Sequence, residues 1–168
     1  MYDKNKLINT VVKLLNEKKI GTDKIHMQKF ISFLADNDQN IPFNFSVYKY
    51  GPFSKDLSST LNIMCGWGYI KYDDKYIFKK GESLEEDEKN KLSALVDKFN
   101  NVLPKHSFEE NFDILELYST LYYYMKRVEN ANKEVVFEKF IDAKAEKFSE
   151  EQVIEAYESL LRLFCPRL

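Results

Sequence analysis

Glycine, proline and cysteine are scarce in this sequence: 5, 4 and 2 residues of 168. No stretch is low in complexity, and the apolar content of 44% rules against a disordered or fibrous chain. Two cysteines, Cys65 and Cys165, stand far apart and form no C-x-x-C pair. That excludes a disulfide scaffold and suits two reduced packing cysteines. Only two histidines occur, His26 and His106. With so few nitrogen and sulfur ligands at no close spacing, a zinc site of about four ligands is excluded. His26, near the start of a helix, reads as a surface or half-buried polar residue. No H-E-x-x-H, G-x-S-x-G, G-x-x-x-x-G-K-[ST] or G-x-G-x-x-G occurs. Acid pairs such as Glu85–Glu88 and Glu109-Glu110 fall in expected first helical turns, where the helix dipole accounts for them. The expectation is a protein that is not an enzyme, with no catalytic residue, cofactor or metal.

Long apolar runs are also missing. None approaches the ~20 residues of a membrane span, and MYDKNKLINT carries no signal-peptide core or cleavage site. A soluble, cytoplasmic protein without a membrane partner is expected. Arginine is rare too, the first being Arg127.

Aromatics, by contrast, make up 15% of the chain, mostly Phe and Tyr, and promise a bulky core. The length favours one domain or one unit of two lobes. The formal charge of −2 conceals an asymmetry. Residues 1–80 carry 13 Lys against 8 Asp and Glu, a net of +5; residues 81–168 carry 12 Lys and Arg against 19 Asp and Glu, a net of −7.

Periodicity sets the order of elements. Leu7, Ile8, Val11, Val12, Leu14 and Leu15 lie on one helical face that Gly21 should end. A second helix starts near Asp23 with Met27, Phe30, Ile31 and Leu34 inward. Phe43 to Tyr50 alternates as a strand, with Phe43, Phe45 and Val47 on one face. Gly51 and Pro52 should turn that strand directly into a helix, with Phe53 as a plug between them, Ser54 as a second candidate cap and Asp56 near its positive end. That helix buries Leu57, Leu61 and Met64 and stops at Gly66–Gly68. A hairpin follows, its runs 69–72 and 76–79 flanking Asp73-Asp74-Lys75. Helix, helix, strand, helix, hairpin is the order of a winged helix.

The second half is helical. Ser83 with Glu86, Ser107 with Glu110 and Ser149 with Gln152 have capping-box spacing. Leu92, Leu95, Val96, Phe99 and Leu103 form a stripe closed by Pro104. FDILELYSTLYYYM is apolar nearly all round and should be central. Val136, Phe137, Phe140 and Ile141 mark a further helix, and Val153, Tyr157, Leu160, Leu161 and Phe164 the last. The expected fold is α+β and mostly helical. A winged-helix-like lobe with a three-stranded antiparallel sheet (residues 1–82) packs against a helical lobe (83–168).

Met27-Gln28-Lys29-Phe30, Tyr50-Gly51-Pro52-Phe53-Ser54, Leu57, Gly68-Tyr69-Ile70 and the segment Asp113–Lys126 together resemble the uncharacterised YwgA-type proteins over roughly residues 7–126. Residues 24–80 further resemble the SocA-like or Panacea antitoxin domain. The YwgA-type likeness implies no established activity. The Panacea likeness implies neutralisation of a partner toxin by protein contact, and in SocA-like members delivery of the toxin to a protease. Neither brings catalytic residues.

Two surfaces are candidates for binding. Lys49, Lys55, Lys71, Lys75, Lys79 and Lys80, with Tyr50, Tyr69, Tyr72 and Tyr76 among them, could meet phosphates. Ser58, Ser59 and Asn62 would face outward from the third helix. Against sequence-specific readout stand the lack of early arginine and the offset of Lys55 by Asp56. The plainer reading is a solvated lysine face with tyrosines bracing a small sheet. The other candidate is Tyr122-Tyr123-Tyr124. Successive helical residues point about 100° apart, so these three cannot all face one core. One or two must meet another element or a partner, where tyrosine makes a good anchor. The favoured reading is a regulatory module acting through protein–protein contacts, with an antitoxin-like or phage-defence setting taken from resemblance. Self-association suits the charge asymmetry as well. The alternative is a winged-helix nucleic-acid-binding regulator using the lysine-rich wing.

Overall fold

Residues 1–104, 112–144 and 147–164 are described in the computed structural model. Helix α1 (Lys4–Glu17) starts at Asp3, whose carboxylate accepts from the Lys6 amide. Its buried face holds all six apolar residues of the first stripe. The helix ends at Glu17, short of the expected Gly21, because the Lys18 and Ile20 amides close it on the Leu14 and Leu15 carbonyls and Lys19 takes a φ of 58°. Gly21 serves close approach instead: a Cβ there would lie 2.7 Å from His26 Nδ1. Helix α2 (Lys24–Asn37) is capped by Asp23, which accepts from the Ile25 and His26 amides. Met27, Phe30, Ile31 and Leu34 are wholly buried.

The next segment departs from expectation. Phe43 and Phe45 are buried, as the alternation implies, but only Ser46–Tyr48 forms a strand, β1. Gly51-Pro52-Phe53 does not open a helix. It is the return strand β2 (Gly51–Phe53), antiparallel to β1, with Ser46 opposite Phe53 and Tyr48 opposite Gly51. Pro52 fits because a two-stranded ribbon has free edges, where its missing N–H is harmless. Helix α3 (Lys55–Gly66) begins one residue later, capped by Ser54 Oγ, which accepts from the Leu57 amide, with Asp56 in its first turn. Leu57, Leu61 and Met64 are buried.

Strands β3 (Ile70–Tyr72) and β4 (Tyr76–Phe78) form the expected hairpin, with Ile70 opposite Phe78. The three-stranded sheet does not form: β1–β2 and β3–β4 are separate ribbons. β1 finds a local partner in β2. The Tyr76 backbone is bonded instead to the α1–α2 loop, where Thr22 O accepts from the Tyr76 amide (2.8 Å) and Thr22 Oγ1 donates to Tyr76 O (2.9 Å).

Helix α4 (Glu86–Val102) is capped by a reciprocal Glu85–Glu88 box, two residues past the expected Ser83–Glu86 pair. Ser83 Oγ is held by Lys13 Nζ at 3.0 Å and the Leu84 amide by Thr10 Oγ1 at 2.9 Å. Those ties to α1 keep the chain extended past Ser83. The Ser107–Glu110 box lies outside the described residues. Helix α5 (Phe112–Arg127) is central, as its apolar run implies, packing against α2, β2, and two later helices, α6 (Lys133–Lys144) and α7 (Glu150–Leu161). A short 3-10 turn, Glu129–Ala131, leads into α6, and the Ser149–Gln152 box caps α7 as expected. Leu95, Phe137, Leu161 and Phe164 of the expected stripes are half-buried, and Ile141 is exposed. One hydrophobic core runs from Tyr2 to Leu160 across the expected lobe boundary near residue 82. The fold is α+β, mostly helical, with two small antiparallel ribbons. No helix among the described residues is long and apolar enough to cross a membrane.

Candidate functional site

Gly51, Pro52 and Phe53 lie where α2, α5 and α6 converge beneath the β1–β2 hairpin. Two neighbouring residues of α2 hold the return strand. Gln28 makes a buried two-bond pair with Ser54, its Nε2 donating to Ser54 O (3.0 Å) and its Oε1 accepting from the Ser54 amide (2.9 Å). Lys29, 2% exposed, donates to Pro52 O at 2.8 Å. From α6, Lys144 Nζ donates to the carbonyls of Tyr48 (3.1 Å) and Lys49. The turn Lys49-Tyr50 is therefore bound through its backbone on both sides by buried ammonium groups.

The counter-charge is Glu116 of α5, 2% exposed. Its Oε1 accepts from Lys147 Nζ at 2.8 Å, and its Oε2 lies 3.2 Å from Lys144 Nζ, an ion pair without hydrogen-bond alignment. Lys147 also meets Asp113 at 3.2 Å. Burial pulls the Lys29 ammonium down to a pKa of about 8; Glu116 opposes that shift and the Lys144 charge adds to it. The hydrogen bond that Lys147 donates to Glu116 holds the Lys147 pKa above the ordinary lysine range. One helical turn beyond Glu116, the buried Thr120 Oγ1 faces Gly51 and makes no hydrogen bond. Gly51 has a φ of 96°, and a Cβ on it would come within 2.6 Å of Thr120 Oγ1 and 3.3 Å of Glu116 Cγ. The position requires glycine for both reasons.

Above this buried base the hairpin is aromatic and open. Tyr48 is 46% exposed and Tyr50 54%. Tyr48 packs edge-on to Phe53 at 5.6 Å. The Tyr50 ring is flanked by two cations, Lys49 Nζ and Lys147 Nζ, each 5.3 Å from its centre. An open pocket of 740 Å³ lies beside the hairpin, walled by Tyr48, Tyr50 and Tyr124 with Lys49, Lys144 and Lys147.

The residues singled out by sequence divide among several places. Lys49, Lys55, Lys71, Lys75, Lys79 and Lys80 are all exposed, and none is in an ion pair among the described residues. They do not share one wing. Lys49 and Lys55 flank the first hairpin, Lys55 leaning over Tyr48 at 6.0 Å. Lys80 leans over Tyr69 at 5.7 Å, and Lys75 lines a second pocket with Lys18, Asp23 and His26. Asp56, expected to offset Lys55, is bound by Lys4 at 2.7 Å. Tyr76 is buried and Tyr69 half-buried, the bracing role of the plainer reading, whereas Tyr72 is exposed. Ser59 and Asn62 face outward on α3 and Ser58 is half-buried.

Tyr122 is buried within the chain. It is 4% exposed, its hydroxyl donates to Asn37 Oδ1 at 3.1 Å, and burial pushes its pKa up to about 12. Tyr123 is half-buried, donating to Phe45 O at 3.1 Å with the Arg127 guanidinium 3.4 Å from its ring centre. Tyr124 is half-buried at the pocket wall. His26 is more buried than expected, at 4% exposure, with its Nδ1 2.6 Å from Asp23 Oδ2. Burial raises the Asp23 pKa, but the bond and charge of His26 outweigh it and hold the carboxyl below its usual range. His106 and Cys165 lie outside the described residues; Cys65 is half-buried and free. Among the described residues no cluster of three or more His, Cys, Asp or Glu could hold a metal ion.

Sequence reasoning overlooked Lys29, Glu116, Lys144 and Lys147. The signal lay in Lys29 within the apolar stripe of α2 and Glu116 within the apolar run of α5, since a charge there must find a partner indoors.

No protein-family model matches this chain, and no curated protein does.

Proposed function

We propose that the protein is a non-enzymatic regulatory module that works through protein–protein contacts, with the β1–β2 hairpin as its contact element. The observation that carries this reading is the pairing of exposure with fixation. Tyr48 and Tyr50 are about half exposed, while the backbone beneath them is held by the buried Lys29 and Lys144, the latter paired with Glu116. Large aromatics on a backbone already ordered lose little further entropy on binding, which is the physics of an anchor residue. Two of the segments that carry the likeness to YwgA-type and SocA-like or Panacea proteins, Met27–Phe30 and Tyr50–Ser54, meet here. That likeness adds an antitoxin-like or phage-defence setting in the cytoplasm to the proposal.

The test is affinity capture at native expression. The wild type is expected to return one stoichiometric partner that the Tyr48→Ala/Tyr50→Ala variant loses at unchanged thermal stability. A partner retained by that variant refutes the hairpin as contact element.

A second reading, nucleic-acid binding, is favoured by the six exposed lysines, none of which is in an ion pair among the described residues. It predicts duplex binding that weakens steeply with salt and disappears in Lys71→Glu/Lys79→Glu. Binding unchanged in that variant refutes the surface.

A further inference from the structure

The pocket beside the hairpin is lined by Val47, Ala143, three tyrosines and three lysines, with no carboxylate among its described residues. Its floor is short of negative charge. Lys29, Lys144 and Lys147 bring three ammonium groups to Glu116 and Asp113, and Lys49 adds a fourth at the rim. Lys144 is committed to two carbonyls and Glu116. Lys49 and Lys147 are both exposed, Lys147 while paired with Glu116 and Asp113, and the ammonium groups of both lie 5.3 Å from the centre of the Tyr50 ring. Asp142 on α6 is exposed and close enough to influence Tyr124. With three lysines in its lining and no acid among its described residues, the pocket is complementary in charge to an anion.

We propose that this pocket receives an acidic segment of the partner protein, a Glu or Asp carboxylate seated between Lys49 and Lys147 against Tyr50, with the neighbouring chain lying on Tyr48 and Tyr124. This rests on the protein-binding reading and gives its partner a chemistry. A carboxylate fits the mouth because each lysine supplies a charged donor. The tyrosine walls give the aliphatic stem of Glu an apolar surface.

A fluorescein-labelled Glu-rich decapeptide, followed by anisotropy, tests it. Saturable binding is expected, about tenfold weaker in Lys49→Gln and in Lys147→Gln, as one charge-assisted bond implies. Lys147→Arg should retain it, and Lys71→Gln/Lys79→Gln, on the other ribbon, should not change it. Lys49 is exposed and in no ion pair, so its variant reads the pocket even if loss of the Lys147–Glu116 bond disturbs folding. Equal weakening by the Lys71/Lys79 variant would reduce the effect to general charge and overturn the proposal. So would absence of binding, or equal affinity for a Gln-rich decapeptide or for a single-stranded oligonucleotide of the same charge. A captured partner lost in Tyr48→Ala/Tyr50→Ala but indifferent to Lys49→Gln would keep the protein-binding reading and overturn the acidic segment alone.

Discussion

Replacing Gly51 by alanine should weaken the whole protein, and the structure separates two causes. The first is backbone strain. At a φ of 96° an L-residue is disfavoured, at a cost of about 1–3 kcal/mol. The second is steric: the new methyl would stand 2.6 Å from Thr120 Oγ1 and 3.3 Å from Glu116 Cγ, both on a central helix with little room to yield. Overpacking of this kind costs about 1–3 kcal/mol. Together they imply a loss of about 2–6 kcal/mol, a large share of the 5–15 kcal/mol typical of a domain. Urea denaturation of Gly51→Ala, Thr120→Ala and the double variant measures both parts. Removing Thr120 Oγ1 takes away the closest clash, so the double variant should recover about 1 kcal/mol or more relative to the sum of the singles, while the strain remains. A Gly51→Ala loss below about 0.5 kcal/mol would refute the packing described for the turn, and strict additivity would refute the contact with Thr120.

Other consequences follow from the same cluster. Gln28→Leu orphans the buried Ser54 amide and takes one of two donors from the Ser54 carbonyl, which keeps the Ser58 amide, and should cost about 1–3 kcal/mol by denaturant titration. Ser54→Ala removes the α3 cap alone and should cost about 1 kcal/mol. Lys29 gives a pH signature. Its folded pKa of about 8 lies below the ordinary value of 10.5, so between those limits the unfolded chain holds more protons. Lys29 should therefore make stability rise with pH from about 8 to 10, by at most about 1.4 kcal/mol per unit. Above about pH 10, buried Tyr76 and Tyr122, both raised to about 12, pull the other way. Chemical denaturation at pH 7–10 should show that rise in the wild type and not in Lys29→Met; parallel curves would contradict it.

The helices were legible wherever local chemistry decides them. Asp23 and Ser54 cap where they stand, the Ser149–Gln152 box forms, and the stripe of α1 is the buried face of α1. What the sequence hid were choices made by distant residues. Ser83 has the spacing to start α4, but Lys13 and Thr10 of α1 claim its neighbourhood and the helix starts at Glu85. Phe43 to Tyr50 reads as a strand in search of a hairpin partner downstream. Pro52 looks like a helix opener, yet the same residue stands opposite Val47 in a local ribbon. No pattern within ten residues distinguishes those outcomes. The candidate site was half visible. The Gly51-Pro52 stretch reads as a corner from strand into helix; the chain turns at Lys49-Tyr50 instead and Gly51 and Pro52 belong to the return strand, while the lysines gathered under it come from α2, α6 and the α6–α7 connection. Only the fold brings them to one glutamate.

Native-level capture with the wild type, Tyr48→Ala/Tyr50→Ala and Lys71→Glu/Lys79→Glu, each shown to fold, tests the central claim most directly. The account predicts one stoichiometric protein partner, lost with the hairpin tyrosines and kept with the wing lysines replaced. A partner indifferent to Tyr48 and Tyr50, or nucleic acid recovered in its place and lost with Lys71 and Lys79, would contradict it.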